Sequence, residues 1–185
     1  MGTLRFIWQY ITRPRSVGAI APSSRFLARK MVQGVDFTQA KCIVEFGPGT
    51  GVFTRELIAR RQEGTVIIAI ERNADFCEIL RKQFADIANL HIINGSADQV
   101  QAYLAERGFS HACYIVSGLP FASLPRELSE AILTQARVSL REGGQFITFQ
   151  YTLLRKDLIA RFFSSIEVKR ELRNLPPAYV LRCKI

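Results

Sequence analysis

The 185-residue chain has few of the residues that build metal centres. It contains two histidines, His91 and His111, and each leads into a short apolar run. Its four cysteines stand far apart and form no Cys-x-x-Cys pair, the spacing used by zinc and redox motifs. We therefore expect no metal site, and we expect reduced thiols buried like small apolar side chains at Cys42, Cys77, Cys113 and Cys183.

Long apolar segments are also missing. No apolar run approaches the roughly 20 residues that a membrane-spanning helix needs. Arg5, Arg13 and Arg15 interrupt the apolar residues at the N-terminus, which argues against a signal peptide. These absences predict a cytoplasmic protein, either soluble or peripheral on the inner face of the plasma membrane.

Acidic residues are outnumbered, with 16 Asp and Glu against 25 Lys and Arg, so the net charge is +9. Such a charge favours an anionic partner: nucleic acid, an acidic lipid surface or an acidic substrate. The hydrophobic content of 48% and the length are those of an ordinary globular domain. We expect one domain over residues 1–185, with residues 1–33 as an N-terminal helical extension.

The most informative stretch is residues 42–51. A short apolar run predicts a strand, and Gly47, Gly49 and Gly51 follow it at alternate positions. Residues 52–60 then have the apolar spacing of an amphipathic helix. Glycines allow a tight turn and let a ligand approach main-chain N–H groups at the helix start. The pattern predicts a ligand over the end of this strand; the alternative is a glycine turn that serves packing alone.

The rest of the chain alternates predicted strands and helices, which indicates a doubly wound α/β sheet. Further strands are predicted at 65–70, 90–94, 112–116 and 145–151, and helices at 25–33, 73–84, 125–140 and 153–163. Residues 166–172 and 178–184 read as a closing antiparallel hairpin. Right-handed crossovers place the ends of the parallel strands at one edge of the sheet.

Acidic residues follow the second and third predicted strands. Glu71 ends the second strand about twenty residues after the glycine turn, where a carboxylate can accept both ribose hydroxyls of a nucleoside cofactor. The alternative is a solvated charge at the strand end. Asp98 follows the third strand, where it is equally explained as a helix-start residue.

Several motifs resemble known methyltransferases. Glu45-x-Gly47-x-Gly49-x-Gly51 resembles motif I of class I S-adenosylmethionine-dependent methyltransferases, and Val52 breaks the G-x-G-x-x-G pattern of nicotinamide and flavin proteins. Residues 13–24, Ser117-Gly118-Leu119-Pro120 and residues 174–179 resemble signatures of bacterial phospholipid N-methyltransferases. The resemblance covers nearly the whole chain. It implies a Rossmann-like, seven-stranded, mostly parallel sheet in the order 3-2-1-4-5-7-6, with the seventh strand antiparallel.

The resemblance also implies S-adenosylmethionine as the cofactor. By the family pattern, Asp98 receives the adenine amino group. The implied cofactor-binding residues are Glu45, Gly47, Gly49, Gly51, Glu71, Arg72, Ser96, Ala97, Asp98 and Ser117.

The implied acceptor site follows the fourth strand. Amino-group methyltransferases carry Asn or Asp there, followed by a proline and an aromatic residue. That first side chain and a main-chain carbonyl hold the target amine, and the aromatic ring stacks nearby. Here Ser117 replaces the Asn or Asp, and Gly118-Leu119 precedes Pro120. The resemblance assigns Ser117, the Gly118 carbonyl and Phe121 to the acceptor. Tyr151 and Tyr179 are candidates for aromatic faces that attract a methylated, cationic head group, and both are equally explained as core residues.

The predicted activity is N-methylation of the head group of phosphatidylethanolamine or a related lipid. Alternatives are an enzyme like the ribosomal RNA adenine dimethyltransferases, a small-molecule methyltransferase, and an inactive cofactor- or membrane-binding module. The net charge of +9 favours RNA, whereas no RNA-binding domain follows the last predicted strand. Residues 3–15 are basic and aromatic, which predicts a helix that lies on an anionic membrane or packs against the domain.

Overall fold

The computed structural model describes residues 23–185 as alternating helices and strands. The helices are α1 (Arg25–Val32), α2 (Val52–Arg60), α3 (Ala74–Gln83), α4 (Val100–Ala105), α5 (Arg126–Ser139) and α6 (Lys156–Ala160). The strands are β1 (Cys42–Phe46), β2 (Val66–Glu71), β3 (Leu90–Asn94), β4 (Ala112–Ser117), β5 (Leu140–Gln150), β6 (Ser165–Glu171) and β7 (Ala178–Lys184). The helix predicted for residues 3–15 and most of the signature at residues 13–24, up to residue 22, lie outside the described residues.

The seven strands form one sheet in the order β3-β2-β1-β4-β5-β7-β6, which confirms the predicted topology. Strands β1 to β5 are parallel, and β7 runs antiparallel to both β5 and β6. The chain moves outward from β1 to β3 and then returns to place β4 beside β1. Ligands of open α/β sheets bind where the strand order reverses in this way, at the carboxyl ends of the strands.

The central strands are buried along their whole length, because helices cover both faces of a parallel sheet. One apolar cluster packs under α4, α5 and α6 and includes Phe46, Ile115 and Phe146. The other packs under α1 and α2 and includes Ile43 and Val116. All four cysteines are buried and free, as the sequence predicts. Within residues 23–185, no helix has the length and apolar character required to cross a membrane.

Two predicted boundaries are wrong. Strand β5 begins at Leu140 rather than at residue 145, because Gly143 and Gly144 form an irregularity in its pairing with β4 instead of a stop. A Cβ atom on Gly144 would lie 2.8 Å from the Arg141 carbonyl oxygen, so only glycine fits this close approach. Helix α6 spans five residues, Lys156–Ala160, instead of the predicted 153–163.

One edge of the sheet collects the functional segments, and we call it the carboxyl edge. Strands β1 to β5 all end there. Because β7 is antiparallel to β5, with Gln150 opposite Tyr179, the hairpin connection 172–177 lies at the same edge.

Candidate active site

The glycine loop between β1 and α2 lies at the carboxyl edge. Gly47, Gly49 and Gly51 have φ angles of 63°, 54° and 81°, a region that favours glycine. A Cβ atom on Gly49 would meet no atom within 4 Å, so the loop is open to a ligand at this position. A Cβ atom on Gly51 would lie 2.9 Å from Leu80 of α3, so Gly51 permits close packing of that helix.

Glu71, at the end of β2, is tied to the glycine loop. Its Oε2 accepts a hydrogen bond from the Gly49 N–H at 3.1 Å, and its Oε1 accepts one from the Asn73 N–H at 2.9 Å. Burial raises the pKa of this carboxyl, and the two N–H donors oppose the rise. An ionised carboxylate has about four acceptor positions, so both oxygens retain capacity for further donors. This geometry suits a ribose diol.

Glu45 is a second carboxyl beside the loop, and it is fully buried. Its Oε2 accepts a hydrogen bond from the Thr54 hydroxyl of α2 at 2.7 Å. Its Oε1 is buried without a hydrogen-bond partner in the described part of the chain. Burial raises the pKa of Glu45 to about 8; the Thr54 hydrogen bond opposes the rise, and the charge of Glu71 adds to it. The unpaired oxygen leaves an acceptor for a ligand donor.

The segment after β3 supplies a further acceptor. Residues Ala97–Gln99 form a single 3-10 turn, and the Ser96 side chain before it makes no capping hydrogen bond. Asp98 Oδ1 is buried and has no hydrogen-bond partner among residues 23–185. Asp98 therefore has an acceptor oxygen available to a bound molecule.

A cavity of about 290 Å³ opens at the carboxyl edge. It brings together five residues predicted for the cofactor site, namely Gly47, Glu71, Arg72, Ser96 and Ala97. The cavity also has an apolar wall, which was not predicted from the sequence, formed by Leu119, Pro120, Leu124, Leu128 and Ile132. The three wall residues at 124, 128 and 132 recur every four positions, a spacing that equally predicts core packing.

Strands β1 and β4 meet at Gly118. Its N–H donates to the Phe46 carbonyl at 2.8 Å, and a Cβ atom on it would lie 2.7 Å from the Gly47 carbonyl oxygen. The buried Ser117 hydroxyl accepts a hydrogen bond from the Leu119 N–H at 3.2 Å. Ser117 and Gly118 thus shape the turn that presents Leu119 to the cavity.

Gln150, at the end of β5, was not predicted from the sequence. Its amide donates to the Leu119 carbonyl at 3.0 Å and to the Thr148 hydroxyl at 3.2 Å. The signal in the sequence is a polar residue directly after the mostly apolar run 146–149. Gln150 holds the turn after β4 in place.

The structure does not bring Phe121 to the cavity. Its side chain is fully buried, and its ring packs edge-to-face on Phe146 with the centroids 6.1 Å apart. A turn closed by the Ser123 N–H and the Pro120 carbonyl directs this ring into the core under α5. This buried position does not agree with the predicted contact between Phe121 and an acceptor amine.

The two predicted tyrosines lie on opposite faces of the sheet. Tyr151 ends a row of three rings: its centroid is 5.4 Å from that of Phe149, which is 5.6 Å from that of Phe53. The row begins beside Gly118, at the junction of β1 and β4, because a Cβ atom on Gly118 would lie 3.5 Å from the Phe53 ring. Tyr179 packs on the other face, with the Arg170 guanidinium 5.6 Å from its ring centroid. Only Tyr151 continues the aromatic row.

The strand order, the glycine turn and the acidic residues at successive strand ends define a class I methyltransferase. The family model described as ribosomal RNA adenine dimethylase matches residues 23–165. The chain belongs to this family, and it is an S-adenosylmethionine-dependent methyltransferase. Among residues 23–185, no group of three or more His, Cys, Asp or Glu side chains is arranged to hold a metal ion.

The lipid-modifying and RNA-modifying relatives differ in how much of their own length this chain matches. Ornithine lipid N-methyltransferase of Singulisphaera acidiphila is 32% identical over 97% of this chain and 94% of its own length. The probable ribosomal RNA small subunit methyltransferase A of Haloquadratum walsbyi is 30% identical over 83% of this chain, but only 50% of its own length.

Among solved structures, the 16S rRNA N2 G1207 methyltransferase of Thermus thermophilus, in complex with AdoMet and guanosine, has a TM-score of 0.66. It is 20% identical, and the match covers 92% of this chain and 45% of that one. This likeness supports the fold.

Proposed function

We propose that the protein transfers a methyl group from S-adenosylmethionine to the amino head group of a lipid, phosphatidylethanolamine or a related amino lipid. The observation that carries the proposal is the end-to-end match with an ornithine lipid N-methyltransferase, which spans 97% of this chain and 94% of the relative. The match of this chain with the probable ribosomal RNA small subunit methyltransferase A of Haloquadratum walsbyi spans half of that relative. The whole of this chain is therefore accounted for by a lipid-modifying relative.

The residues around the cavity fit the cofactor. Glu71 would hold the ribose hydroxyls, and the buried, unpaired oxygens of Glu45 and Asp98 would accept hydrogen bonds from the amino groups of the cofactor. The apolar wall of the cavity, which includes Leu119 and Leu128, would cover the adenine ring. When bound, S-adenosylmethionine supplies a methyl group on a positively charged sulfur, which a nucleophile can displace.

The chain's own contribution to the transfer is alignment and exclusion of water. An amine attacks through its lone pair, so it must reach the site without its extra proton. Gly118, whose N–H is bonded to the Phe46 carbonyl and which has no space for a Cβ atom, would fix the turn after β4 that orients the amine. Tyr151 and the ring row behind it would attract the head group as methylation makes it a permanent cation.

Methylation of ribosomal RNA adenine is the second candidate. The family model that matches residues 23–165 supports it, as does the net charge of +9. A basic surface binds RNA phosphates and anionic lipid alike, so charge does not separate the two acceptors.

One experiment separates the two candidates. Full-length protein is incubated with radiolabelled S-adenosylmethionine and, in parallel, phosphatidylethanolamine vesicles, ornithine lipid vesicles or ribosomal RNA. We expect label in an amino lipid, and much less label when Glu71→Ala replaces the wild type. Label in RNA with none in either lipid would overturn the lipid proposal in favour of the second candidate.

A further inference from the structure

Exposed leucines are concentrated at the carboxyl edge. In the part of the chain that the structure describes, six large apolar side chains are exposed, and four of them are leucines in two loops. Leu153 and Leu154, 39% and 76% exposed, follow β5, whereas Leu172 and Leu175, 65% and 80% exposed, lie in the connection between β6 and β7. We call these four residues the leucine rim. Because β5 and β7 are adjacent strands, the two loops are neighbours.

The two loops carry positive charge. Residues 151–156 and 172–177 contain Arg155, Lys156 and Arg173 and no acidic residue. The acid before the second loop, Glu171, is buried and pairs with Lys30 at 3.2 Å and with Arg173 at 3.1 Å. That cluster retains one positive charge. The exposed acid closest in sequence is Asp157, on the first turn of α6.

The second loop is held in place rather than folded over its own leucines. Asn174, 3% exposed, accepts a hydrogen bond from the Ser24 N–H at 2.8 Å and donates one to the Pro176 carbonyl at 2.7 Å. The Arg173 guanidinium lies 4.4 Å from the centroid of the Phe26 ring. These contacts bind the loop to the start of α1. Leu172 and Leu175 remain outside, and clustered exposed apolar side chains of this kind mark interaction surfaces.

We propose that the leucine rim docks the protein on an anionic lipid bilayer. The leucines would enter the boundary between head groups and acyl chains, and the surrounding cations would face lipid phosphates. The inference rests on the proposed lipid substrate. Gln150, at the end of β5, donates a hydrogen bond to the Leu119 carbonyl at the cavity, so the rim loop that follows β5 lies close to the cavity. A bilayer on the rim would therefore lie next to the cavity, and a head group could reach the site without leaving the membrane.

The test uses full-length protein and sedimentation with phosphatidylglycerol vesicles that contain no amino lipid. We expect the double variant Leu154→Ser/Leu175→Ser to bind these vesicles at least about tenfold more weakly than the wild type, since two exposed apolar anchors are removed. Val138→Ser is the matched control, because Val138 is 45% exposed on α5 and lies outside the rim. It should bind like the wild type. All three proteins should have the same calorimetric affinity for S-adenosylmethionine.

Equal vesicle binding by the wild type and the double variant, including the absence of binding by both, would overturn the docking surface. A lower melting temperature of the double variant beside equal binding would mean that another part of the chain covers the leucines. The outcome is separable from the proposed function, since methyl transfer to RNA with loss of vesicle binding in the double variant would refute only the lipid substrate.

Discussion

Two buried carboxyl groups border the glycine loop and differ in how they are satisfied. Both oxygens of Glu71 accept main-chain hydrogen bonds, from Gly49 and Asn73. Glu45 has one oxygen bonded to Thr54 and one without a partner among residues 23–185. Glu71 is thus positioned before any ligand arrives, whereas Glu45 bears an unsatisfied acceptor that a ligand would satisfy.

Replacing Glu71 with Gln tests its role in cofactor binding. The amide keeps the size of the side chain but removes the charge and turns one acceptor into a donor that faces an N–H group. We expect S-adenosylmethionine to bind about 1.5–3 kcal/mol more weakly, the range for hydrogen bonds to charged groups. Titration calorimetry measures the change. Glu78→Gln, at an exposed position on α3, is the control and should leave affinity unchanged.

The raised pKa of Glu45 predicts that the stability of the protein depends on pH. Its folded-state pKa of about 8 lies above the ordinary value of 4.5, so the folded protein binds more protons than the unfolded chain between these values. Stability of the cofactor-free protein should therefore fall as pH rises from about 5 to 8, by up to about 1.4 kcal/mol per pH unit for one proton. Glu45→Gln should remove this slope. Urea unfolding at several pH values measures it.

Other groups titrate in the same range, so the comparison between the two proteins carries the test. Burial raises the pKa of Glu71 and adds a slope of the same sign. Burial lowers the pKa of His91, which gives an opposite slope near pH 6.5. Both are present in the wild type and in Glu45→Gln. Parallel stability curves for the two proteins would show that Glu45 does not titrate in this range.

At the scale of elements, apolar runs and turn residues predicted the sheet well. The strands and the position of the glycine loop followed from the apolar runs and from glycines placed directly after the first, whereas the strand order followed from the resemblance to methyltransferases. The irregularity at Gly143 and Gly144 was missed, because two glycines after a predicted helix are typical of a helix end. The direction of Phe121 was also missed, since one turn residue decides whether an aromatic ring faces a cavity or the core.

The cavity wall shows a second limit of sequence reasoning. Leu124 and Ile132 are almost fully buried, yet both line the cavity. Leu128 and Ile132 have the spacing of a helix face in contact with the core, and this face of α5 serves both purposes, whereas Leu124 precedes the helix. Gln150 was missed for a related reason: its role depends on a carbonyl 31 residues earlier, brought close only by the pairing of β4 with β5.

The junction of β1 and β4 makes a prediction at this scale. A Cβ atom at Gly118 would lie 2.7 Å from the Gly47 carbonyl oxygen, and main chain on both sides cannot move aside cheaply. Gly118→Ala should destabilise the protein by about 1–3 kcal/mol, as overpacking does, and weaken cofactor binding. At Gly64 a Cβ atom would meet nothing within 4 Å, so Gly64→Ala should change stability by less than about 0.5 kcal/mol. Thermal melts with calorimetry measure both effects, and wild-type behaviour of Gly118→Ala would contradict the assigned close contact.

At the scale of the whole molecule, the leucine rim and the active site lie at the same edge of the sheet. The loops of the leucine rim carry cations and no acid, and they belong to the carboxyl edge where the cavity opens. The cations of these loops would bring the mouth of the site toward an anionic surface.

This arrangement predicts that salt separates membrane attachment from cofactor binding. The Debye length falls from about 10 Å at 0.1 M salt to about 3 Å at 1 M, so attraction between exposed cations and a bilayer is largely lost, whereas buried hydrogen bonds are screened much less. Methyl transfer to amino lipid in phosphatidylglycerol vesicles should fall several-fold over this range, and S-adenosylmethionine affinity should hardly change. Transfer to the same lipid in uncharged phosphatidylcholine vesicles is the control, and it should be slower at low salt and nearly independent of salt. Equal salt dependence with both kinds of vesicle would mean that the positive charge of the carboxyl edge does not attach the enzyme to its substrate surface.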